Sequence, residues 1–332
     1  MRKKKLLVIT DGNIYQVTSR VRAINYFEAL RQNFDLIWRP RTGVEKRDST
    51  LEKIWFAVEK RMLWLSIITT IIFQRFDIVF IQRLFLPAWI LKMLKSKKTK
   101  IYFDFDDAIY NYSQRAFDTM MQYSDKVIVS TPFLEEYVKA YNKPCKIIFS
   151  PVDTDLIKPV ETRNEKFTIG WIGSPWTVHY MRNIESIFQT LAATIPFKLL
   201  VMGAELQIEN VDIELVPWSL ANEIEALKRI DVGIMPLFDE GWANMKGGYK
   251  LFLYMAAGRP VVASSIGINK TIVQEGINGF VAGSKEQWIT AFEKLYNDAG
   301  FRMKLGQNAR KMAEDCYSYK VWSVQLIGFL NN

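Results

Sequence analysis

The sequence predicts an α/β protein of two domains, each a parallel sheet with helices on both faces. Three observations predict it. Short apolar runs alternate with segments of helical periodicity, the pattern of βαβ units. That pattern fills the first 150 residues and restarts near residue 167. Between the runs lie residues 151–159, bounded by prolines and without periodicity, the natural linker. A chain of 332 residues is long enough for two cores.

The first sheet opens with the apolar run 6–9, ended by the turn residues Asp11 and Gly12. Residues 19–34 have helical periodicity, with Val21, Ile24 and Phe27 on one face beside Ala23 and Leu30. A second strand follows at 36–38. Ser49 and Glu52 have the spacing of a capping box for a helix over about 50–74. Strands at 77–82, 100–105, 126–130 and 146–149 complete the set. In the second half a strand at 167–172 ends at Gly173-Ser174-Pro175. A helix at 181–194, a strand at 198–202, a helix at 221–229 and a strand at 232–235 follow. Residues 246–264 then read as a glycine-rich loop, a short helix, a turn at Gly258-Arg259-Pro260 and a buried strand. The last apolar helix, 319–330, is expected to pack back on the first half. The expected domains are 1–152 with 316–332, and 153–315.

With 49% hydrophobic and 24% charged residues the chain is globular rather than disordered. Its net charge of +9 is uneven: residues 1–150 hold 26 Lys and Arg against 15 Asp and Glu, and the remainder 18 against 20. A basic half implies an anionic partner. Cys145 and Cys316 lack metal-ligand spacing and read as reduced thiols. The basic lead 1–5 is followed by too short an apolar run for an export signal. His179 is the only histidine, which excludes multi-histidine metal sites and argues against a Ser/His triad.

Four groups of residues point to chemistry. Lys246 and Lys250 bracket Gly247 and Gly248 at a helix start, with Tyr249 between. Glycines allow close backbone approach, and helix N–H groups with ammonium charge suit a diphosphate. Asp104, Asp106 and Asp107 follow a strand, as a base for an acceptor hydroxyl would, or as caps of the next helix. Arg20 and Arg22, one residue apart after the turn at Gly12, should place one guanidinium in a cleft and the other in solvent; Gln82 and Arg83 end a strand. The apolar stretch 51–73, with Lys53, Lys60, Arg61 and the lysines of 92–100, reads as a wide core helix or a membrane-surface element.

Residues 250–264 with Gly267, Asn269 and Glu275-Gly276-Ile277-Asn278-Gly279-Phe280 resemble the donor half of family 4 glycosyltransferases, supported by residues 231–237. Ser19-Arg20-Val21-Arg22, Gln82-Arg83 and residues 102–108 resemble a bacterial branch that builds surface polysaccharides. The resemblance implies the GT-B fold: two facing Rossmann-like domains with parallel sheets and a C-terminal helix returning to the first. It implies a retaining glycosyltransferase moving a sugar from a nucleotide-sugar donor to a lipid-linked or envelope-glycan acceptor. Donor contacts then fall on Gly173, Ser174, Lys246, Gly247, Gly248, Tyr249, Lys250, Gly267 and Asn269. Acceptor or phosphate contacts fall on Gly12, Arg20, Arg22, Gln82 and Arg83. The resemblance implies no cofactor and no essential metal, and a cytoplasmic protein peripheral to the inner membrane face, an anionic surface. The family's two glutamates, eight positions apart, fall here on Met245 and Leu253, which cannot hydrogen-bond a hydroxyl; the usual Arg and Lys after residue 172 are also missing. A sugar-nucleotide epimerase would share the fold. A nucleic-acid-binding protein would explain the basic half, but no recognition motif is present. The G-x-G-x-x-G fingerprint of a redox enzyme is absent after the first strand.

Overall fold

A computed structural model describes residues 2–42, 50–160 and 164–332. The chain forms two compact units, residues 1–150 with 319–332, and residues 151–318. The expected boundaries were 152/153 and 315/316. Val152 N–H donates to the Tyr317 carbonyl (2.9 Å) and Val152 bridges to Ser318, so both crossing segments belong to the second unit.

The first unit runs β1 (Lys4–Thr10), α1 (Val17–Arg22), α2 (Phe27–Asn33), β2 (Phe34–Pro40), α3 (Thr50–Phe73), β3 (Ile78–Gln82), α4 (Ala88–Ser96), β4 (Lys100–Phe105), α5 (Gln114–Tyr123), β5 (Lys126–Val129), α6 (Pro132–Lys139) and β6 (Cys145–Ile147). Its sheet is parallel, ordered β2-β1-β3-β4-β5-β6. Leu6, Leu7, Val8 and Ile9 are all fully buried, as an apolar strand covered on both faces must be. The expected helix over 19–34 is broken. Ala23 leaves helical geometry (φ −134°), a single 3₁₀ turn covers Ile24–Tyr26, and the strand begins at Phe34. No glycine or proline marks the break; the buried side chain of Arg22 reaches across to β4 there. The capping box expected at Ser49 and Glu52 lies outside the described residues.

The second unit runs β7 (Phe167–Ile172), α7 (His179–Arg182), α8 (Glu185–Ala192), β8 (Phe197–Met202), β9 (Ile213–Val216), α9 (Leu220–Arg229), β10 (Val232–Met235), α10 (Tyr249–Ala256), β11 (Val261–Ser264), α11 (Asn269–Ile272), β12 (Gly279–Ala282), α12 (Lys285–Asn297) and α13 (Ala299–Cys316). Its parallel sheet is ordered β12-β11-β10-β7-β8-β9. The helix expected over 181–194 is two helices meeting at Asn183 and Ile184. Edge strand β9 carries no buried residue, so hydrophobic patterning does not reveal it. A capping box of Ser284 and Gln287 starts α12, and the Asp298 carboxylate accepts from Phe301 N–H at the start of α13.

The last helix, α14 (Tyr319–Asn331), returns to the first unit as expected. Leu326 and Leu330 are buried there, Trp322 packs edge-on against Phe149, and the Tyr319 hydroxyl donates to the Val21 carbonyl (2.9 Å). Each fully buried leucine contributes about 1.5–3 kcal/mol.

Candidate functional site

In an open parallel sheet, ligands bind beyond the carboxyl ends of the strands where the strand order reverses. In the second unit that point lies between β7 and β10, which pair directly. The loops after these strands carry most of the residues singled out as a donor site.

After β7, Gly173 sits where a Cβ would fall 2.1 Å from the Trp171 ring, so glycine is required there. Ser174 N–H donates to the Thr177 hydroxyl (3.1 Å), closing a turn that carries no cation. After β10 the chain makes a 3₁₀ turn, Ala243–Met245, then the irregular stretch of Lys246, Gly247 and Gly248. Gly248 precedes α10 in the left-handed region (φ +73°), where a side chain would be strained and would meet Ile272 at 2.5 Å. This geometry turns the chain into α10 with Tyr249 and Lys250 in its first turn. Gly267 (φ +53°) brings the loop after β11 against Asn244, where a Cβ would lie 3.0 Å from its Cα.

The two lysines rest on aromatic faces. Lys246 Nζ lies 3.8 Å from the Trp242 ring centroid and 5.3 Å from that of Tyr180; Lys250 Nζ lies 4.4 Å from that of Trp171. Lys250 makes no ion pair among the described residues. Burial, then the charge of Lys246, lowers its pKa to about 7. Beside them the Glu240 carboxylate accepts from the Tyr180 hydroxyl, and His179 Nε2 stands 3.5 Å from it. Sequence reasoning missed Tyr180 and Glu240. Tyr180 precedes the expected helix start, and Glu240 lies in a loop without periodicity.

Asn269 is the first residue of α11. Its side chain is fully buried and Nδ2 donates to the carbonyls of Ser264 (3.1 Å) and Met235 (3.4 Å), bracing the ends of β10 and β11. Its Oδ1 is also buried and has no hydrogen-bond partner, so the amide nitrogen is used by the fold and the amide oxygen is not. Of the positions where the family's glutamates stand, Leu253 is buried inside α10 and Met245 ends the 3₁₀ turn.

In the first unit the reversal lies between β1 and β3. Gly12 N–H donates to the Ser19 hydroxyl (3.0 Å), which donates in turn to Gln82 Oε1 (2.9 Å). That network uses the Gly12 amide internally. Gln82 is fully buried, and its Nε2 has no hydrogen-bond partner. Arg20 and Arg22 do not divide between cleft and solvent: both are buried, 6% and 2% exposed. Arg22 forks onto both carboxylate oxygens of Asp104 and donates to the Ile148 carbonyl.

Asp104 is therefore corrected as a base. Its side chain is 1% exposed and closed off by Arg22. Burial pushes its carboxyl up to about 6, while the guanidinium pulls it back. β4 ends at Phe105, so Asp104 lies within the strand while Asp106 and Asp107 follow it. Asp106 and Asp107 face Arg83 at 3.2 and 3.7 Å, and Asp107 also accepts from its neighbour Ala108 N–H (3.1 Å). Neither caps a helix, because the next turn starts at Ile109 without a side-chain cap. Arg83 has a left-handed backbone (φ +55°), uncommon outside glycine. Its pKa is raised: Asp106 and Asp107 outweigh the burial that opposes them. Among the described residues no three His, Cys, Asp or Glu side chains are grouped as a metal site, and no helix is long and apolar enough to cross a membrane.

Residues 166–298 match the family described as Glycosyl transferases group 1. The D-inositol 3-phosphate glycosyltransferase of Pseudarthrobacter chlorophenolicus is 26% identical over 132 residues, 39% of this chain and 30% of that protein. The match thus spans less than a third of that relative's length. Two solved structures are similar over almost the whole chain. Sucrose-phosphate synthase from Thermosynechococcus elongatus is 12% identical with a TM-score of 0.69, covering 99% of this chain and 98% of its own. Anabaena HepE in complex with UDP and glucose is 14% identical with a TM-score of 0.71, covering 99% of each. At such identities the likeness is one of architecture: the chain has the GT-B fold, with a parallel-sheet, Rossmann-like domain in each half.

Proposed function

We propose that this chain is a glycosyltransferase that uses a nucleotide-sugar donor, held by the second unit at the loop 246–250. The observation that carries the reading is the pair Lys246 and Lys250, seated on aromatic rings around the left-handed Gly248 at the start of α10. An ammonium on an aromatic face stays close to its site, and an arriving diphosphate supplies the hydrogen-bond acceptors that the ring lacks. As the glycosidic bond to the donor phosphate breaks, charge grows on the leaving diphosphate. Cations and helix amides already in place stabilise that charge more than they stabilise the intact donor. The sequence match over 166–298 and the UDP-bound state of the similar Anabaena protein support a donor of this class.

The first unit takes the acceptor. With Asp104 enclosed, Asp106 and Asp107 are the carboxylates of the triplet left to meet an acceptor hydroxyl. Their shared partner Arg83 holds both carboxylates in place, where their oxygens can accept a hydrogen bond and orient the hydroxyl. In the retaining reaction proposed, the hydroxyl proton passes late to the leaving phosphate, and no metal takes part. The reading extends to a lipid-linked or envelope-glycan acceptor and surface-polysaccharide synthesis. Peripheral docking on the inner face of the cytoplasmic membrane fits helix α3, which exposes Trp55 (68%), Met62 (66%) and Phe73 (82%) beside Lys53, Lys60 and Arg61.

Titration calorimetry with UDP, then with UDP-, GDP- and ADP-sugars, tests the donor reading. Binding of one of these to the intact chain, lost in Lys250→Ala, is the expected result. A chain that binds none of them is not a nucleotide-sugar enzyme.

A further inference from the structure

Tyr112 is 73% exposed, yet its ring is not loose. Its hydroxyl accepts from Arg83 Nη2 (3.2 Å), and the same guanidinium contacts Asp106 and Asp107. The loop beneath is held at successive points. The Ser130 hydroxyl donates to the Asp106 carbonyl (2.9 Å), and Ile109 N–H donates to the Asp107 carbonyl (2.7 Å). Ile109 is buried, Tyr110 stacks on Tyr137 with centroids 3.9 Å apart, and Ser113 caps α5. An aromatic ring fixed at its polar tip, standing on a braced loop and rimmed by two carboxylates, loses little freedom when a ligand covers it.

We propose that Tyr112 is a stacking platform for a sugar ring, so that the acceptor presents a saccharide to this chain rather than a bare phosphate or a simple alcohol. The proposal rests on the glycosyltransferase reading and names the substrate class of its acceptor side. A pyranose has one face rich in C–H groups, which lies on an aromatic ring, and a rim of hydroxyls, which donate to carboxylates. Asp106 and Asp107 supply those acceptors, 13% and 26% exposed at their side chains. A phosphate fits poorly, because Arg83 already faces both carboxylates. Arg83 acts as the positioning residue: its left-handed backbone at the end of β3 aims the guanidinium at all three groups.

The test is saturation-transfer NMR on the full chain with methyl α-glucoside, methyl α-galactoside, methyl α-N-acetylglucosaminide and methyl α-rhamnoside, with UDP as a parallel probe. At least one glycoside should receive saturation at its ring C–H protons. Tyr112→Ala should weaken that glycoside's affinity roughly three- to tenfold and leave UDP binding unchanged, while Tyr112→Phe, which keeps the ring, should retain most of the affinity. UDP binding without transfer to any glycoside, or equal glycoside binding by Tyr112→Ala, overturns the platform and leaves the donor reading intact. Glycoside binding at Tyr112 without UDP binding does the reverse.

Discussion

The carboxyl edges of the two sheets handle positive charge in opposite ways. In the first unit Arg22, Arg41 and Arg83 all meet carboxylates: Asp104, Asp11, and Asp106 with Asp107. In the second, Lys246 and Lys250 rest on Trp242, Tyr180 and Trp171, and the nearby Glu240 is met by a tyrosine hydroxyl and a histidine. One edge has balanced its cations. On the other, Lys250 rests on a ring that attracts but does not neutralise it. The basic composition of residues 1–150 therefore misleads about where an anionic donor binds. Net charge marks the first unit, whereas Lys250, which makes no ion pair among the described residues, lies in the second.

The largest expected effect breaks the balanced edge. Arg22→Ala leaves Asp104 buried without its cation, which should cost about 3–5 kcal/mol in chemical denaturation. The double variant Arg22→Met with Asp104→Leu should recover most of that loss, because the desolvation of both charges disappears with them. Wild-type stability in Arg22→Ala would mean that the pair holds nothing together.

The second effect strikes the other edge. Lys250→Ala should weaken UDP binding by about 1.5–3 kcal/mol, roughly ten- to 150-fold by calorimetry, as the loss of a charge-assisted bond to phosphate. Unchanged affinity would remove the lysine from the donor site.

A pH series sharpens the comparison further. The free Lys250 side chain titrates near 7, so it is mostly charged at about pH 6 and mostly neutral at about pH 8. Binding an anion favours the charged form and raises its pKa. UDP affinity should therefore fall as pH rises through 7, by up to about tenfold per unit, until the bound-state pKa is passed. Lys250→Arg should flatten the profile beyond the change due to UDP itself; identical slopes in both proteins would assign the dependence elsewhere.

The smallest effect concerns the aromatic seat. Trp242→Leu removes a cation–π contact of about 0.5–1 kcal/mol, so UDP affinity should change by about two- to fivefold. A change as large as that of Lys250→Ala would mean that Trp242 touches the ligand itself.

Much of this was legible in the sequence. Apolar runs located the central strands of both sheets, because strands buried on both faces cannot be polar. The glycine loop leading into a helix at 246–250 was legible as well, though the left-handed geometry of Gly248 was not. The status of Asp104 was not. Its place at the end of a strand suggested a cleft, but nothing local shows that Arg22, 82 residues away in sequence, closes over it. Edge strand β9 and the break at Ala23 escaped because neither carries the signal that hydrophobic period or turn chemistry would leave.

The return of α14 to the first unit has a consequence for synthesis. Residues 151–318 are continuous, so the second unit can fold once it has left the ribosome. The first unit is made earlier but lacks Trp322, Leu326 and Leu330 until the whole second unit has been synthesised. The half that emerges first is thus the half that matures last, and a stop codon placed just after residue 318 would damage a unit whose other residues were all made before residue 151.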